Sequence, residues 1–199
     1  MRCGRPPVTD PPLVPVPHLI DTRRLVLRSF RGADAPALHS ALAESVNELR
    51  RFLWFLPWVA EEPTLQAAEL RCREAGANFL LRTDLPYLGF ERTTGRLVCS
   101  MGLHRTDWQL PKTEVGYWVR TSEAGKGYAR EGVAALASWA LDQLKAKRVE
   151  LVTDQENTAS RRVAEACGFV LEGTLHNVQA SPDGTLRHTC VYAKLPAAA

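Results

Sequence analysis

From Glu114 to Leu144 the chain passes from an alternating apolar stretch, through Gly125-Lys126-Gly127, into apolar residues spaced by threes and fours, an order few folds accommodate. Glu114 to Arg120 (EVGYWVR) has the period of a half-buried strand, and Val133, Leu136, Ala137, Ala140, Leu141 and Leu144 mark the buried face of one helix. A helix starting directly after a glycine turn leaves its first N–H groups unpaired, with the positive end of its dipole facing a concave surface. Gly125 to Ala129 are therefore expected to form an anion site suited to phosphate, the glycines letting the backbone approach the ligand and adopt positive φ. Lys126 is expected to add a mobile positive charge. The same residues also suit a plain strand-to-helix turn, and both readings stand at this point. Two common nucleotide motifs fail. The P-loop pattern is absent, with Tyr128 where its magnesium-binding hydroxyl would stand, and a GxGxxG fingerprint breaks at Arg130.

The flanking pattern predicts an α+β fold with a mixed, mostly antiparallel sheet flanked by helices. Arg24 to Phe30 (RLVLRSF) alternates like a strand, Ala33 to Ser45 suits a short helix, and helical spacing continues over Asn47 to Trp54 and Leu65 to Leu81. Tyr87 to Glu91 and Arg96 to Thr106, joined by Thr93-Thr94-Gly95, read as a hairpin, and Glu114 to Arg120 completes a meander. Arg148 to Thr153 reads as a buried strand, Thr158 to Cys167 as a helix stopped by Gly168, and Phe169 to Glu172 as a strand. The turn Ser181-Pro182-Asp183-Gly184 leads into a last strand, Leu186 to Leu195. The long helix thus lies in a central β-α-β crossover.

A chain of 199 residues has room for one full-sized core, assigned to residues 18–199. Residues 1–17 carry prolines that block helix and central-strand pairing, so they read as an extended or disordered arm, and they lack the apolar run of a signal peptide. No stretch reaches membrane-spanning length, and a formal charge of +3, evenly spread, implies no nucleic-acid surface. Cys3, Cys72, Cys99, Cys167 and Cys190 form no CxxC pair and have no histidines at zinc spacing, which points to neither a disulfide framework nor a metal site. A reducing cytoplasm is the expected setting.

Four segments, RLVLRSF (Arg24 to Phe30), KTEVGYWVRTSEAGKGYARE (Lys112 to Glu131), ENTASRRVAEACGFVLEGTL (Glu156 to Leu175) and RHTCVYAKL (Arg187 to Leu195), closely resemble the GNAT superfamily of N-acetyltransferases. Within it they resemble the ribosomal-protein N-terminal acetyltransferases. The resemblance implies acetyl-CoA as cosubstrate. The CoA pyrophosphate would lie on Gly125, Lys126, Gly127, Tyr128 and Ala129, and pantetheine and the thioester carbonyl on Trp118, Val119 and Arg120. Ala124 departs from the Gln or Arg often found before the first glycine. Asn157 and Ser160 match the family's CoA-contacting asparagine and serine, and both also suit a helix start.

Acetyl transfer needs a neutral amine, a stabilised oxyanion and a proton for the departing thiolate. Ser160 is the candidate donor at sulfur and Glu114 the candidate base, while Gln179 stands where some relatives carry an acidic residue. Trp54, Phe55 and Trp58, in the helical segment that walls the acceptor groove in the family, are candidate acceptor contacts; core packing or a homodimer contact would equally suit them. The expected acceptor is the α-amino group of a protein N-terminus, attacking directly. A small amine such as an antibiotic or polyamine, or a module that binds acyl-CoA without turnover, remains open. The lone histidines His104 and His188 are ambiguous, a lone histidine being more often structural than catalytic.

Overall fold

The computed structural model describes residues 15–197. Eight strands, β1 (Leu19–Asp21), β2 (Leu25–Ser29), β3 (Leu85–Glu91), β4 (Leu97–Asp107), β5 (Lys112–Val119), β6 (Arg148–Asp154), β7 (Val170–Ala180) and β8 (Leu186–Lys194), form one sheet in the order β1-β2-β3-β4-β5-β6-β8-β7. The helices are α1 (Ala35–Leu53), α2 (Pro57–Ala60), α3 (Leu65–Leu81), α4 (Tyr128–Asp142) and α5 (Thr158–Ala166). Every pairing is antiparallel except β5 with β6, whose connection through α4 makes them parallel.

That parallel pair is short. Lys112, Thr113 and Glu114 pair with Arg148, Val149 and Glu150, and beyond them the strands separate. On its other edge β5 stays paired with β4 as far as Val119. A gap therefore opens in mid-sheet, bordered by the C-terminal half of β5 and by β6.

The two faces are covered differently. The apolar stripe of α4 (Val133, Leu136, Ala137, Ala140) is buried with Leu25, Leu27, Met101 and Leu151. Gly132 brings α4 so close to β4 that an added Cβ would stand 2.3 Å from the Met101 sulfur. On the opposite face α1 and α3 bury Leu38, Ala41, Leu42, Ala68 and Cys72 with Phe30, Leu88 and Trp118. Directly paired residues share a face, so Tyr117, opposite Met101, faces the α4 side, whereas Gly116, opposite Gly102, and Trp118 face the α1 side.

Several boundaries differ from the sequence expectation. The two helices expected over Ala33 to Ser45 and Asn47 to Trp54 are the single helix α1, because Val46 is buried with the preceding turns and carries the stripe across the proposed break. Strand β7 runs to Ala180 although half of its residues alternate poorly; its ladder with β8 restores pairing after a bulge at Asn177, whose φ is 56°. Val16, assigned to the arm, is buried at 6% exposure, and Pro17 accepts a hydrogen bond from the Tyr87 hydroxyl, so the packed chain begins before residue 18. Residues 1–14 of that arm, with Cys3, lie outside the described residues. The other four cysteines are buried free thiols. Among the described residues no helix is long and apolar enough to cross a membrane, and no cluster of three or more His, Cys, Asp or Glu could hold a metal.

Candidate active site

Gly125 (φ 75°) and Gly127 (φ 84°) both take the left-handed conformation, and Gly127 is the N-cap of α4. The Glu131 N–H, bonded to Gly127 O, starts the helical ladder, so the N–H groups just before it have no intrahelical acceptor. Arg24 fixes the turn from the far side of the fold. Its Nη1 donates to Lys126 O (2.9 Å), and because carbonyl and N–H point oppositely in a trans peptide, this aims the Gly127 N–H away from Arg24. Glu131 holds Arg24 in return, accepting from its backbone N–H (2.6 Å) and its Nε (2.7 Å), and also from the Thr22 hydroxyl (2.6 Å).

Lys126, expected as a mobile charge, has an ion-pair partner three residues back. Its Nζ is 2.8 Å from Glu123, whose side chain is buried and also meets Arg96. The lysine side chain is half exposed, where a single charge contact is worth up to about 1 kcal/mol, so Lys126→Ala should change CoA affinity by no more than about fivefold, as measured by calorimetry.

The segment entering the turn is strapped to α1 by Glu44, which accepts from the Ser122 N–H (2.8 Å) and Arg120 Nε (2.6 Å). Hydrogen bonding by Ser122, then by Arg120, holds the Glu44 carboxyl at about 2 against an ordinary 4.5. A depressed carboxyl stabilises the fold above its unfolded value and loses that contribution as pH falls through its folded value. The difference in Tm between wild type and Glu44→Gln should therefore be constant above pH 4.5 and close as pH drops towards 2.

Of Trp118, Val119 and Arg120, expected to line the donor path, only Val119 offers its N–H to the gap. The Arg120 N–H donates to Val98 O (2.8 Å), which sets the alternation along the strand: Trp118 and Gly116 also bond to β4, while Val119 and Tyr117 face away from it. The Trp118 side chain is buried among the residues under α1, and the Arg120 guanidinium is held by Glu44 and by Ser40.

Asn157 caps α5 by accepting from the Ser160 N–H (3.1 Å). The Ser160 hydroxyl lies on the α4 side of the gap and accepts from the Tyr117 hydroxyl (3.0 Å). Burial pushes the Tyr117 phenol up to about 12, so it remains a neutral donor. That leaves the proton of Ser160 free to point elsewhere. Tyr117, Arg24 and Glu131 were missed as functional residues because their partners lie 43 to 107 positions away, beyond any local period.

Glu114 has a different occupation from the one expected. Arg105 donates to one carboxylate oxygen through Nε (2.8 Å) and lies against the other through Nη2. Both carboxylate oxygens of Glu114 thus face the Arg105 guanidinium.

The aromatic segment divides. Trp58 packs on Trp118 (centroids 6.2 Å apart) with the Arg71 guanidinium 4.1 Å above its ring, so it is part of the packing under α2. Phe55 is 50% exposed and meets Trp54 edge-on. Trp54 and Phe52 line a cleft of about 390 Å³ between the end of α1 and the β7–β8 turn, closed by Glu156, Asp183 and Arg187. Arg187 is fixed there by Asp154 (2.9 and 3.0 Å) and Glu156 (3.0 Å).

The sequence over residues 24–170 matches the family model described as Acetyltransferase (GNAT) domain. A Bacillus subtilis protein provisionally named ribosomal N-acetyltransferase YdaF is 26% identical over 163 residues, covering 75% of this chain and 79% of its own. Two solved structures share the fold. The RimL ribosomal alpha-N-protein acetyltransferase, determined with coenzyme A, superposes with a TM-score of 0.81 at 20% identity, over 89% of this chain and 97% of its own. The microcin self-immunity acetyltransferase MccE, determined with acetyl-CoA and AMP, gives 0.80 at 17% identity, over 91% and 98%.

Proposed function

The chain belongs to the GNAT acetyltransferases and is an acetyl-CoA-dependent N-acetyltransferase; from that premise we propose that its acceptor is the α-amino group of a protein N-terminus. The observation that carries this reading is the gap between β5 and β6 together with the cleft of about 390 Å³ lined by Phe52, Trp54 and Glu156, the last lying between the end of β6 and the Asn157 cap of α5. The likeness to ribosomal-protein acetyltransferases supports it.

In this reading the pyrophosphate binds the N–H groups of Gly125 to Ala129, and pantetheine runs along the free edge of β5, where the N–H groups of Val119 and Tyr117 are its donors. One of these N–H groups receives the carbonyl oxygen as it becomes an oxyanion. Ser160, with Tyr117 donating into its oxygen, turns its own proton to the departing sulfur. Asn157 orders the start of α5 and contributes to the CoA site. The buried free thiols suit a reducing, cytoplasmic setting.

The chemistry also favours a weakly basic amine. An α-amino group with a pKa near 8 is already partly neutral at pH 7, whereas a lysine near 10.4 needs about 4.6 kcal/mol to deprotonate. A small amine is the second reading, although Arg50, Arg51 and Arg187 outnumber Glu156 and Asp183 in the cleft lining and weigh against a polycation. Mass spectrometry with acetyl-CoA and a panel of alanine- and serine-initiated peptides, polyamines and aminoglycosides separates the two. Acetylation at the peptide α-nitrogen is expected; acetylation of the small amines and of no peptide would sink the first reading.

A further inference from the structure

With Glu114 engaged by Arg105 and an amide at Gln179, the proton of the attacking nitrogen has no taker among the residues so far considered. We propose that His104, held by Asp84, is the catalytic base of the acetyl transfer and receives that proton at Nε2 on the α1 side of the β5–β6 gap. The proposal rests on the acetyl-transfer reading above and adds to it the residue that accepts the acceptor's proton.

The placement follows from two glycines. His104 is two residues beyond Gly102 on β4, and its ring lies over the paired glycines Gly102 and Gly116. A Cβ at Gly116 would stand 2.9 Å from Cδ2 and 3.2 Å from Nε2; one at Gly102 would stand 3.0 Å from Cε1. The imidazole thus fills space that any other side chain at these positions would take. Gly116 lies two residues past the last β5–β6 pair, where the gap opens, and immediately before Tyr117. Tyr117 reaches Ser160 on the opposite face. His104 and Ser160 therefore flank the same stretch of β5 from its two sides, the first towards α1 and the second towards α4.

The orientation follows from Asp84. Its carboxylate oxygens lie 2.7 and 2.9 Å from Nδ1. A carboxylate accepts only, so the neutral ring carries its proton on Nδ1 and keeps a lone pair on Nε2. No described residue hydrogen-bonds Nε2. The backbone contributes as well. Directly after His104 the β4–β5 register shifts, and Arg105 takes a φ of 50°, a left-handed conformation unfavourable for a side chain of its size. A bulge of this kind re-aims neighbouring side chains, and here it turns Arg105 onto Glu114 while His104 stays over the glycines.

The step balances without another reactant. The neutral amine attacks the thioester carbon, the C–N bond forms and the C–S bond breaks. The nitrogen's proton passes to Nε2 and on to solvent, while the thiolate leaves against the Ser160 hydroxyl and takes a proton from solvent.

The test uses the full chain with acetyl-CoA and an alanine-initiated hexapeptide, or whichever amine of the panel turns over fastest. His104→Ala should lower kcat by about a hundredfold or more, the usual contribution of a positioned base, with acetyl-CoA affinity unchanged. Added imidazole should restore part of the rate to that variant and none to wild type. Gly116→Ala, which leaves His104 and Asp84 in the chain but pushes the ring aside, should lower kcat in the same direction. A His104→Ala enzyme with near wild-type kcat overturns the proposal, as does a loss of rate that imidazole leaves untouched and that comes with lost acetyl-CoA binding. A wild type that acetylates no amine of the panel overturns both readings; turnover by wild type with an unaffected variant overturns the base alone.

Discussion

Gly127→Trp is expected to abolish acetyl-CoA binding while the domain stays folded. Gly127 has a φ of 84° at the N-cap of α4, and an added Cβ would already stand 3.3 Å from Arg24 Nη2. An indole there must either displace the guanidinium that orients the turn or project into the concavity proposed to receive the pyrophosphate. The folded state bears a cost of roughly 1–2 kcal/mol for a side chain in the left-handed region, which a domain of this size survives. Binding depends on several N–H groups converging on one anion, so losing that convergence should weaken it more than about a hundredfold, or 2.7 kcal/mol. Calorimetry with acetyl-CoA should show no heat of binding, beside a urea transition still close to wild type. Wild-type affinity would mean that the pyrophosphate lies elsewhere. Gly125, with a φ of 75° but nothing within 4 Å of an added Cβ, provides the contrast: Gly125→Ala should bear the backbone cost, keep its N–H and weaken binding far less than Gly127→Trp.

Leu136→Ala should instead be the costly change for the fold. Leu136 is fully buried at the centre of the α4 stripe, packed in the core that joins the helix to β2, β4 and β6. Removing its side chain should lower stability by about 2–5 kcal/mol, the transfer and cavity cost of a buried leucine. The urea midpoint should fall accordingly, and the fraction that remains folded should bind acetyl-CoA as wild type does. Leu141→Ala, on a partly buried leucine of the same stripe, should cost markedly less. Equal effects would mean that the stripe is not seated on the sheet as described.

The contrast between these two variants shows which parts of the protein a linear reading reaches. The stripe from Val133 to Ala140 was legible because helix period and burial are the same fact: residues three and four apart face one way, and the sheet covers that way. The turn was legible because two glycines before a helix leave N–H groups no side chain can replace. The family resemblance brought Asn157 and Ser160 to the same site, and their structure as cap and first-turn hydroxyl is compatible with both roles.

Other features gave no such signal. Helix α1 was divided in two because its stripe is interrupted by polar residues, and β7 was cut short because an edge strand exposed on both faces has no period to read. Glu114 and Lys126 carried the right charges for their expected roles. Arg105 and Glu123 pair with them, the first from nine residues away across the β4–β5 turn and the second from three. Trp118 is directed by the strand's alternation into the packing under α1, while its neighbours Tyr117 and Val119 pack on the α4 side.

The sequence by itself determined the strand, glycine turn and helix on which the proposed donor site is built, and the crossover that places them in mid-sheet. Those are properties of backbone period and glycine conformation, which are local and therefore written in order along the chain. Tertiary structure alone decided how far β5 and β6 separate, which charges are free, and which side chains from distant segments meet across the gap. His104, Asp84, Tyr117 and Ser160 come from four different elements or loops, and only the strand register and the space left by Gly102 and Gly116 bring them to the same stretch of β5. Proton transfer acts over hydrogen-bond distances, so the acceptor side of the site exists only once the sheet has formed.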